Sequence, residues 1–189
     1  MKKTQVFLLT IGYVMAFAYY GCKKSEAPAP GSEAAVEATV QTEAPGSASK
    51  AYAGNDTYFK LPNYKGGEID LAAYAGKPVL LMFFTENCPY CRKAAPFINR
   101  VAREYAPKGL NTVGICLESD SSAAAGFAKS FDLNFPIAYK GQEAARRYKA
   151  QGVPYIYLLT KNHVIHNVWA GYDPEFDTAI KEGIEAVIK

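Results

Sequence analysis

The chain has 189 residues, a formal net charge of +3 at pH 7 and 49% hydrophobic residues, which fits one folded domain of ordinary size. So small a charge excludes the strongly basic footprint of a nucleic-acid-binding protein, and 21% charged with 13% aromatic residues excludes a wholly disordered chain. The four cysteines, Cys22, Cys88, Cys91 and Cys116, are too few and too unevenly spaced for a disulfide scaffold or a four-cysteine zinc site.

Residues 1–21 predict an export signal. Two lysines follow the first residue, and residues 6–20 form an uncharged run, shorter than the roughly 20 apolar residues of a membrane-spanning helix. Gly21-Cys22 closes the run and resembles the lipobox of bacterial lipoproteins, in which the cysteine is lipidated and becomes the new N-terminus. We therefore expect Cys22 to anchor the protein on the periplasmic side of the cell envelope, with the outer membrane as a candidate location. An ordinary signal cleaved upstream of Cys22 is the alternative.

Residues 23–50 predict a disordered tether. This segment is rich in Ala, Glu, Pro, Ser, Gly and Thr and contains no aromatic residue, so it cannot bury enough apolar area to fold. As a flexible coil it would have an end-to-end distance of roughly 30 Å. It would connect the anchor to a single domain at residues 52–189.

The domain at residues 52–189 alternates strand and helix patterns. Two short strands flank Gly66-Gly67 like a hairpin, the apolar run at 78–84 is typical of a buried central strand, and Pro89 opens a helix. Further patterns predict, in order, a strand at 112–117, a helix at 122–131, a strand at 135–138, a helix at 142–150, strands at 155–160 and 164–169, and a helix at 174–189. This order predicts an α/β fold: a mixed central sheet with helices on both faces and an N-terminal β-hairpin extension.

The motif Cys88-Pro89-Tyr90-Cys91 directly follows the predicted central strand and begins the next helix. Free backbone N–H groups and the macrodipole at a helix N-terminus favour a thiolate, so we expect Cys88 to be an exposed nucleophile with a lowered pKa. Cys91, one turn inside the helix, would be the resolving cysteine. Such a dithiol exchanges with substrate disulfides through a mixed disulfide, and it needs no cofactor beyond its own redox-active disulfide.

Short motifs that resemble a known family extend over the domain: Phe59–Pro62, Gly67–Leu71, Gly76–Pro78, Cys88–Cys91, Pro96, Gly152–Pro154 and Gly171. With these residues the domain resembles the thioredoxin fold and, within it, the TlpA/ResA-like thiol-disulfide oxidoreductases of the bacterial envelope. The resemblance implies that Pro154 is a cis-proline beside the dithiol, that the backbone of Val153 pairs with an extended substrate segment, and that Pro89 and Tyr90 support the site. It also implies protein thiol or disulfide substrates, reduction of exported proteins such as apocytochrome c, and electrons from a membrane thiol transporter.

Three positions depart from this family pattern. Asn87 replaces the usual Trp before the first cysteine, Met82 replaces a buried carboxylate, and Ala94 replaces the glutamate of ResA-type proteins. The usual proton acceptors for Cys91 are therefore missing. Glu86 is close in sequence and is one candidate substitute, while an exposed surface glutamate is the alternative. Redox potential and direction remain open at this point.

Other functions compete with the oxidoreductase prediction. The two thiolates of Cys88 and Cys91 could bind or deliver a metal such as copper, or form a permanent disulfide in a non-catalytic module. Thr85 has the Thr-x-x-Cys spacing of peroxiredoxins relative to Cys88, which allows a peroxidase. Arg92 and Lys93 either stabilise the thiolate or belong to a solvated helix face.

The remaining candidate ligands do not predict a metal site. We expect His163 and His166 to be ordinary strand residues that point to opposite faces of the sheet, so the two cannot jointly complete a zinc site with the dithiol. Cys116 lies in an apolar strand, where a cysteine behaves as a small hydrophobic residue, and we expect it to be an inert buried thiol.

Overall fold

The computed structural model describes residues 56–189. The predicted signal at 1–21, the lipidation of Cys22 and the tether at 23–50 therefore lie outside the described residues. Within the described part of the chain, no helix has the length and apolar character needed to cross a membrane.

The described chain begins with a two-stranded hairpin. Strands β1 (Lys60–Pro62) and β2 (Glu68–Asp70) pair antiparallel, as predicted. Gly66 and Gly67 in the connecting turn have φ angles of 100° and 74°, which glycine adopts without the steric penalty of a side chain. A 3₁₀ turn, Leu71–Tyr74, leads from the hairpin to the main sheet.

The main sheet has five strands in the order β5-β4-β3-β6-β7. Strand β3 pairs parallel with β4 and antiparallel with β6, while β4 and β5 are parallel and β6 and β7 antiparallel. The predicted mixed sheet is therefore confirmed. The strands are β3 (Val79–Phe84), β4 (Asn111–Cys116), β5 (Ile137–Ala138), β6 (Tyr155–Leu159) and β7 (Ile165–Ala170).

Strand β3 lies at the centre of the sheet, and all six of its residues are buried. Leu80, Met82 and Phe84 pack into the core on one face, whereas Leu81 and Phe83 pack into the core on the other. A strand covered on both faces has no polar side, which explains the continuous apolar run in the sequence.

Within residues 56–189, four α-helices cover the sheet, and they occupy both faces as predicted. The core on one face includes buried residues of α1, α2 and α4, and the core on the other includes the hairpin and α3. The helices are α1 (Pro89–Tyr105), α2 (Ser121–Ser130), α3 (Gln142–Arg147) and α4 (Phe176–Ile188).

Helix α1 carries the dithiol and follows its sequence pattern. Pro89 occupies the first turn, where its missing N–H is not needed. Phe97, Ile98 and Val101 recur at helical spacing, and all three are buried against the sheet. The helix ends at Tyr105 and passes through a short 3₁₀ turn to Gly109, whose φ of 96° ends the helical segment.

Helix α3 is shorter than the predicted 142–150. It ends at Arg147 because Lys149 adopts a left-handed conformation with φ 57°, and the N–H of Lys149 donates to Arg146 O. The prediction failed at this end because the residues up to Ala150 are good helix formers, and only the tertiary packing stops the helix earlier.

The prediction that His163 is an ordinary strand residue is wrong. His163 lies in the turn between β6 and β7 with φ 56°, and its side chain is fully buried. Its Nε2 is 3.1 Å from Tyr74 O, and burial lowers the pKa of the imidazole. The turn that carries it is closed by Val164 N–H, which donates to Thr160 Oγ1. His166 lies on β7 and is exposed, in agreement with the prediction.

Candidate active site

The structure places the dithiol at the point where the central strand passes into α1. Cys88 and Cys91 form a disulfide, and their Cα atoms are 5.2 Å apart. Cys88 is the N-cap of α1, and the backbone N–H of Cys91 donates to Cys88 Sγ over 3.1 Å. The same N–H would stabilise negative charge on Cys88 Sγ after reduction, because a helix N-terminus is a natural site for an anion.

Cys88 is more exposed to solvent than Cys91, but the difference is smaller than the sequence analysis predicted. Cys88 is 8% exposed and Cys91 is 0% exposed. Cys88 is therefore the more accessible cysteine, but it is far less open than predicted. The loop before β6 is the reason, since Val153 O lies 3.5 Å from Cys88 Sγ.

The loop that covers Cys88 contains a cis peptide bond between Val153 and Pro154. This is the conformation implied by the family resemblance, and it brings Val153 beside the dithiol. The side chain of Pro154 is buried, while Val153 is half-buried. Val153 is thus far from the dithiol in the chain, but its carbonyl lies close to Cys88 in space.

An open groove of about 290 Å³ lies beside the dithiol. Tyr90 and Val153 form one end, and Tyr90 is 56% exposed, unusually high for a large aromatic residue in this protein. The segment 170–173 and the partly buried Phe176 complete the lining. The groove is mostly apolar and accessible to solvent.

The two cations after the dithiol are exposed and lie over aromatic rings. The Arg92 guanidinium is 5.0 Å from the ring centre of Phe131, and Lys93 Nζ is 5.0 Å from that of Tyr90. Such contacts contribute about 0.5–1 kcal/mol at exposed sites. Their predicted effect on a Cys88 thiolate stays a prediction.

The usual carboxylates around such a dithiol are absent, as the sequence indicated. Ala94 and Met82 are buried apolar residues of the core that surrounds Cys91. Glu86 is half-buried, and its carboxylate packs against Gly126 of α2, where an added methyl group would overlap Glu86 Oε1. Because this oxygen is the far end of a flexible side chain, it could move aside, so the contact does not by itself require glycine at position 126.

A second carboxylate near the dithiol loop was missed by the sequence analysis. Glu118 Oε1 accepts a hydrogen bond from Glu86 N–H over 3.0 Å, and Glu118 Oε2 lies 2.9 Å from Cys116 Sγ. Cys116 is fully buried, as predicted, and burial together with this hydrogen bond raises the pKa of its thiol to about 12. The sequence shows only that Glu118 follows the strand next to the dithiol strand, where the carboxyl ends of parallel strands meet, and that position does not specify a contact with the Glu86 backbone.

The mixed sheet, the dithiol at the start of α1 and the cis-proline before β6 define a protein of the thioredoxin fold. Residues 55–168 match the model of the AhpC/TSA family, and the chain belongs to this family.

Two relatives of this chain are named as thiol-disulfide oxidoreductases. The thiol-disulfide oxidoreductase ResA of Bacillus thuringiensis subsp. konkukian is 30% identical over 105 residues, 55% of this chain and 61% of that protein. The ResA of Geobacillus kaustophilus is 29% identical over 128 residues, 67% of this chain and 70% of that protein. The chain thus spans about three fifths of the length of the first of these relatives.

A solved structure from Chlorobium tepidum, proposed to be the thiol:disulfide interchange protein DsbE, is 28% identical with a TM-score of 0.65. The similarity covers 70% of this chain and 94% of that one. Together with the Cys88–Cys91 pair, these similarities support the predicted class, a thioredoxin-like oxidoreductase.

Proposed function

We propose that this protein is an extracytoplasmic thiol-disulfide oxidoreductase that exchanges its Cys88–Cys91 pair with exported proteins. The observation that carries the proposal is the disulfide at the N-terminus of α1, where Cys91 N–H donates to Cys88 Sγ. This arrangement favours a thiolate on the more accessible of the two cysteines.

In the reductive direction, the Cys88 thiolate attacks one sulfur of a substrate disulfide. The substrate S–S bond breaks, a Cys88–substrate disulfide forms, and the departing substrate thiolate takes a proton from water. Cys91 gives its proton to water and attacks Cys88 Sγ; the mixed disulfide breaks, the Cys88–Cys91 disulfide forms, and the second substrate thiolate leaves and takes up a proton from water. Two electrons have passed from the protein to the substrate, and oxidation of a substrate dithiol is the same sequence in reverse.

The surroundings of Cys88 favour a polypeptide substrate over a small thiol. The carbonyl of Val153 lies 3.5 Å from Cys88 Sγ, and we infer that the backbone of an extended substrate segment pairs with this loop. The groove between Tyr90 and Phe176 would then receive an apolar side chain near the substrate cysteine. A protein substrate supplies both features, whereas a small thiol supplies neither.

We further propose that the protein works as a reductase on the periplasmic side of the envelope, held there by a lipid on Cys22. The N-terminal sequence supports the location, and the names of the relatives support the chemistry. A reductase in that compartment must be recharged with electrons, for which a membrane thiol transporter is the proposed donor. Reduction of exported proteins such as apocytochrome c is the proposed role.

The roles of the two cysteines are tested with single substitutions and a disulfide-containing protein such as insulin. Cys91→Ser should accumulate a mixed disulfide with the substrate, and Cys88→Ser should neither form it nor reduce the substrate. Cys22→Ser is the control, because it removes a cysteine outside the domain. Reduction at the wild-type rate by Cys88→Ser, or no trapped adduct with Cys91→Ser, would show that the assigned roles are wrong.

The direction of electron flow is tested by the reduction potential of the pair, measured in the Cys22→Ser chain by equilibration with glutathione. A potential near that of thioredoxin, about −270 mV, supports the reductase, whereas one near that of DsbA, about −120 mV, identifies an oxidant of exported thiols. Tight stoichiometric Cu(I) binding with negligible disulfide turnover, or rapid consumption of peroxide, would instead favour a metal-binding protein or a peroxidase.

A further inference from the structure

We propose that Glu118 and Cys116 form a hydrogen-bonded clasp that positions the loop Thr85–Asn87, and through it the nucleophile Cys88. The clasp is defined as the two hydrogen bonds that the Glu118 carboxylate accepts, one from Cys116 and one from the loop. The inference rests on the proposed role of Cys88 and assigns a function to a carboxylate and a buried thiol that the exchange reaction itself does not use.

The geometry uses both oxygens of one carboxylate. Glu118 Oε1 accepts from Glu86 N–H over 3.0 Å, and Glu118 Oε2 accepts from the thiol of Cys116 over 2.9 Å. The backbone beside the carboxylate is fixed as well, because Leu117 N–H donates to Phe84 O over 2.9 Å. The end of β4 therefore holds the first residues that follow β3.

Cys116 acts in this clasp as a hydrogen-bond donor and has no redox role. Its side chain is fully buried in the core, so neither substrate nor oxidant reaches its sulfur. The thiol keeps its proton throughout the physiological pH range, because burial raises its pKa to about 12. A protonated thiol next to a carboxylate fixes the orientation of that carboxylate, whose other oxygen then faces the loop.

The loop between the clasp and the nucleophile is short. Only Thr85, Glu86 and Asn87 separate β3 from Cys88, and Cys88 N–H donates to Thr85 O over 3.3 Å to close a turn. A shift of the Glu86 backbone therefore moves Cys88 relative to α1. Such a movement would weaken the hydrogen bond from Cys91 N–H to Cys88 Sγ, which stabilises the thiolate.

The hydrogen bonds and the charge of Glu118 have opposite effects on Cys88, which makes the proposal testable. Losing the clasp weakens the stabilisation of the Cys88 thiolate and slows its reactions. Removing the negative charge of Glu118 favours the Cys88 thiolate and speeds its reactions. Glu118→Gln removes the charge but keeps an oxygen that accepts from Glu86 N–H, whereas Glu118→Ala removes both.

The test measures alkylation of Cys88 by iodoacetamide at pH 7 in the full chain carrying Cys22→Ser and Cys91→Ser, with the labelled residue identified by mass spectrometry. Glu118→Ala should be alkylated about fivefold more slowly than Glu118→Gln, which loses the same charge, because this is the effect of losing one net hydrogen bond of about average strength. Glu118→Gln should stay within about twofold of the parent, because amide and carboxylate oxygens accept the same donor.

Substitutions at Cys116 probe the second half of the clasp. Cys116→Ser keeps a hydroxyl donor and should leave the rate nearly unchanged, whereas Cys116→Val removes the donor and should slow alkylation in the same direction as Glu118→Ala. Glu182→Ala, at an exposed position on α4, is the matched control for the loss of a carboxylate.

Three outcomes would overturn the proposal. Faster alkylation in both Glu118→Ala and Glu118→Gln would show that the charge dominates. An unchanged rate in folded Glu118→Ala, with only its free energy of unfolding reduced, would show a purely structural role. Equal rates of Cys88 alkylation in Cys116→Ser and Cys116→Val would show that the hydrogen bond donated by Cys116 does not help to position the loop. Failure of the parent to label at Cys88 would contradict the proposed nucleophile instead, so the two ideas fail separately.

Discussion

The N-terminus of α1 should hold Cys88 as a thiolate at a lower pH in the folded protein than in the unfolded chain. Two features of the structure stabilise the Cys88 thiolate once the disulfide is reduced: the helix terminus and one hydrogen bond. The end of a 17-residue helix favours an adjacent negative charge by about 0.3–1 kcal/mol. The hydrogen bond from Cys91 N–H, made to a charged acceptor, adds about 1.5–3 kcal/mol. Burial of Cys88 opposes both, so we expect a net stabilisation of roughly 1.4 kcal/mol or more, a tenfold gain in thiolate.

The perturbation is Cys91→Ser in a chain that also carries Cys22→Ser, because it leaves a single motif thiol and keeps the backbone N–H of residue 91. The alkylation rate of Cys88 is measured across pH, once in buffer and once in denaturing urea. The midpoint should lie at lower pH in the folded protein. Cys116 is the internal reference, since its sulfur is enclosed by the fold and should be labelled only in urea.

A folded-state midpoint equal to or above the midpoint in urea would refute the reasoning. It would mean that burial under the Val153 loop outweighs the helix terminus and the Cys91 N–H.

Two further predictions concern the stability of the domain. Gly141→Ala should lower the free energy of unfolding by about 1–3 kcal/mol in urea titration, because a methyl group there would lie 2.8 Å from Cys116 O; Gly152→Ala, with nothing within 4 Å, should be nearly neutral. Burial lowers the pKa of His163 below its ordinary 6.5, so the unfolded chain binds more protons and stability should fall as the pH drops below that value, by at most about 1.4 kcal/mol per pH unit. His163→Asn should flatten this dependence, the exposed His166→Asn should retain it, and identical pH profiles for both variants would contradict the assignment.

The central strand and the dithiol helix could be predicted from the sequence because local patterns determine them. A short apolar run such as 79–84 is typical of a strand covered on both faces, and Pro89 with the apolar spacing after Cys91 is typical of a helix. The expectation of a cis bond before Pro154 and of Val153 beside Cys88 came from resemblance to a family, since no local pattern links residues so distant in the chain.

The clasp and the turn at His163 could not be predicted, because tertiary contacts determine both. Glu118 resembles any polar residue after a strand until the register of β4 against β3 places it beside the Glu86 backbone. His163 continues a strand-like pattern, and only its left-handed φ removes it from the strand and directs it into the core. Non-glycine residues adopt that conformation rarely, so the sequence carries little warning.

The order of strands in the sheet also determines which disulfide the folded protein can hold. Domains fold from a chain that emerges N-terminus first, and Cys88, Cys91 and Cys116 all precede the β6 strand that completes the centre of the sheet. In the folded domain Cys116 is buried in the core as a free thiol, whereas Cys88 and Cys91 are bonded at the start of α1. A disulfide to Cys116 would require its side chain to leave the core, so the completed fold favours the Cys88–Cys91 pair over any pair that includes Cys116.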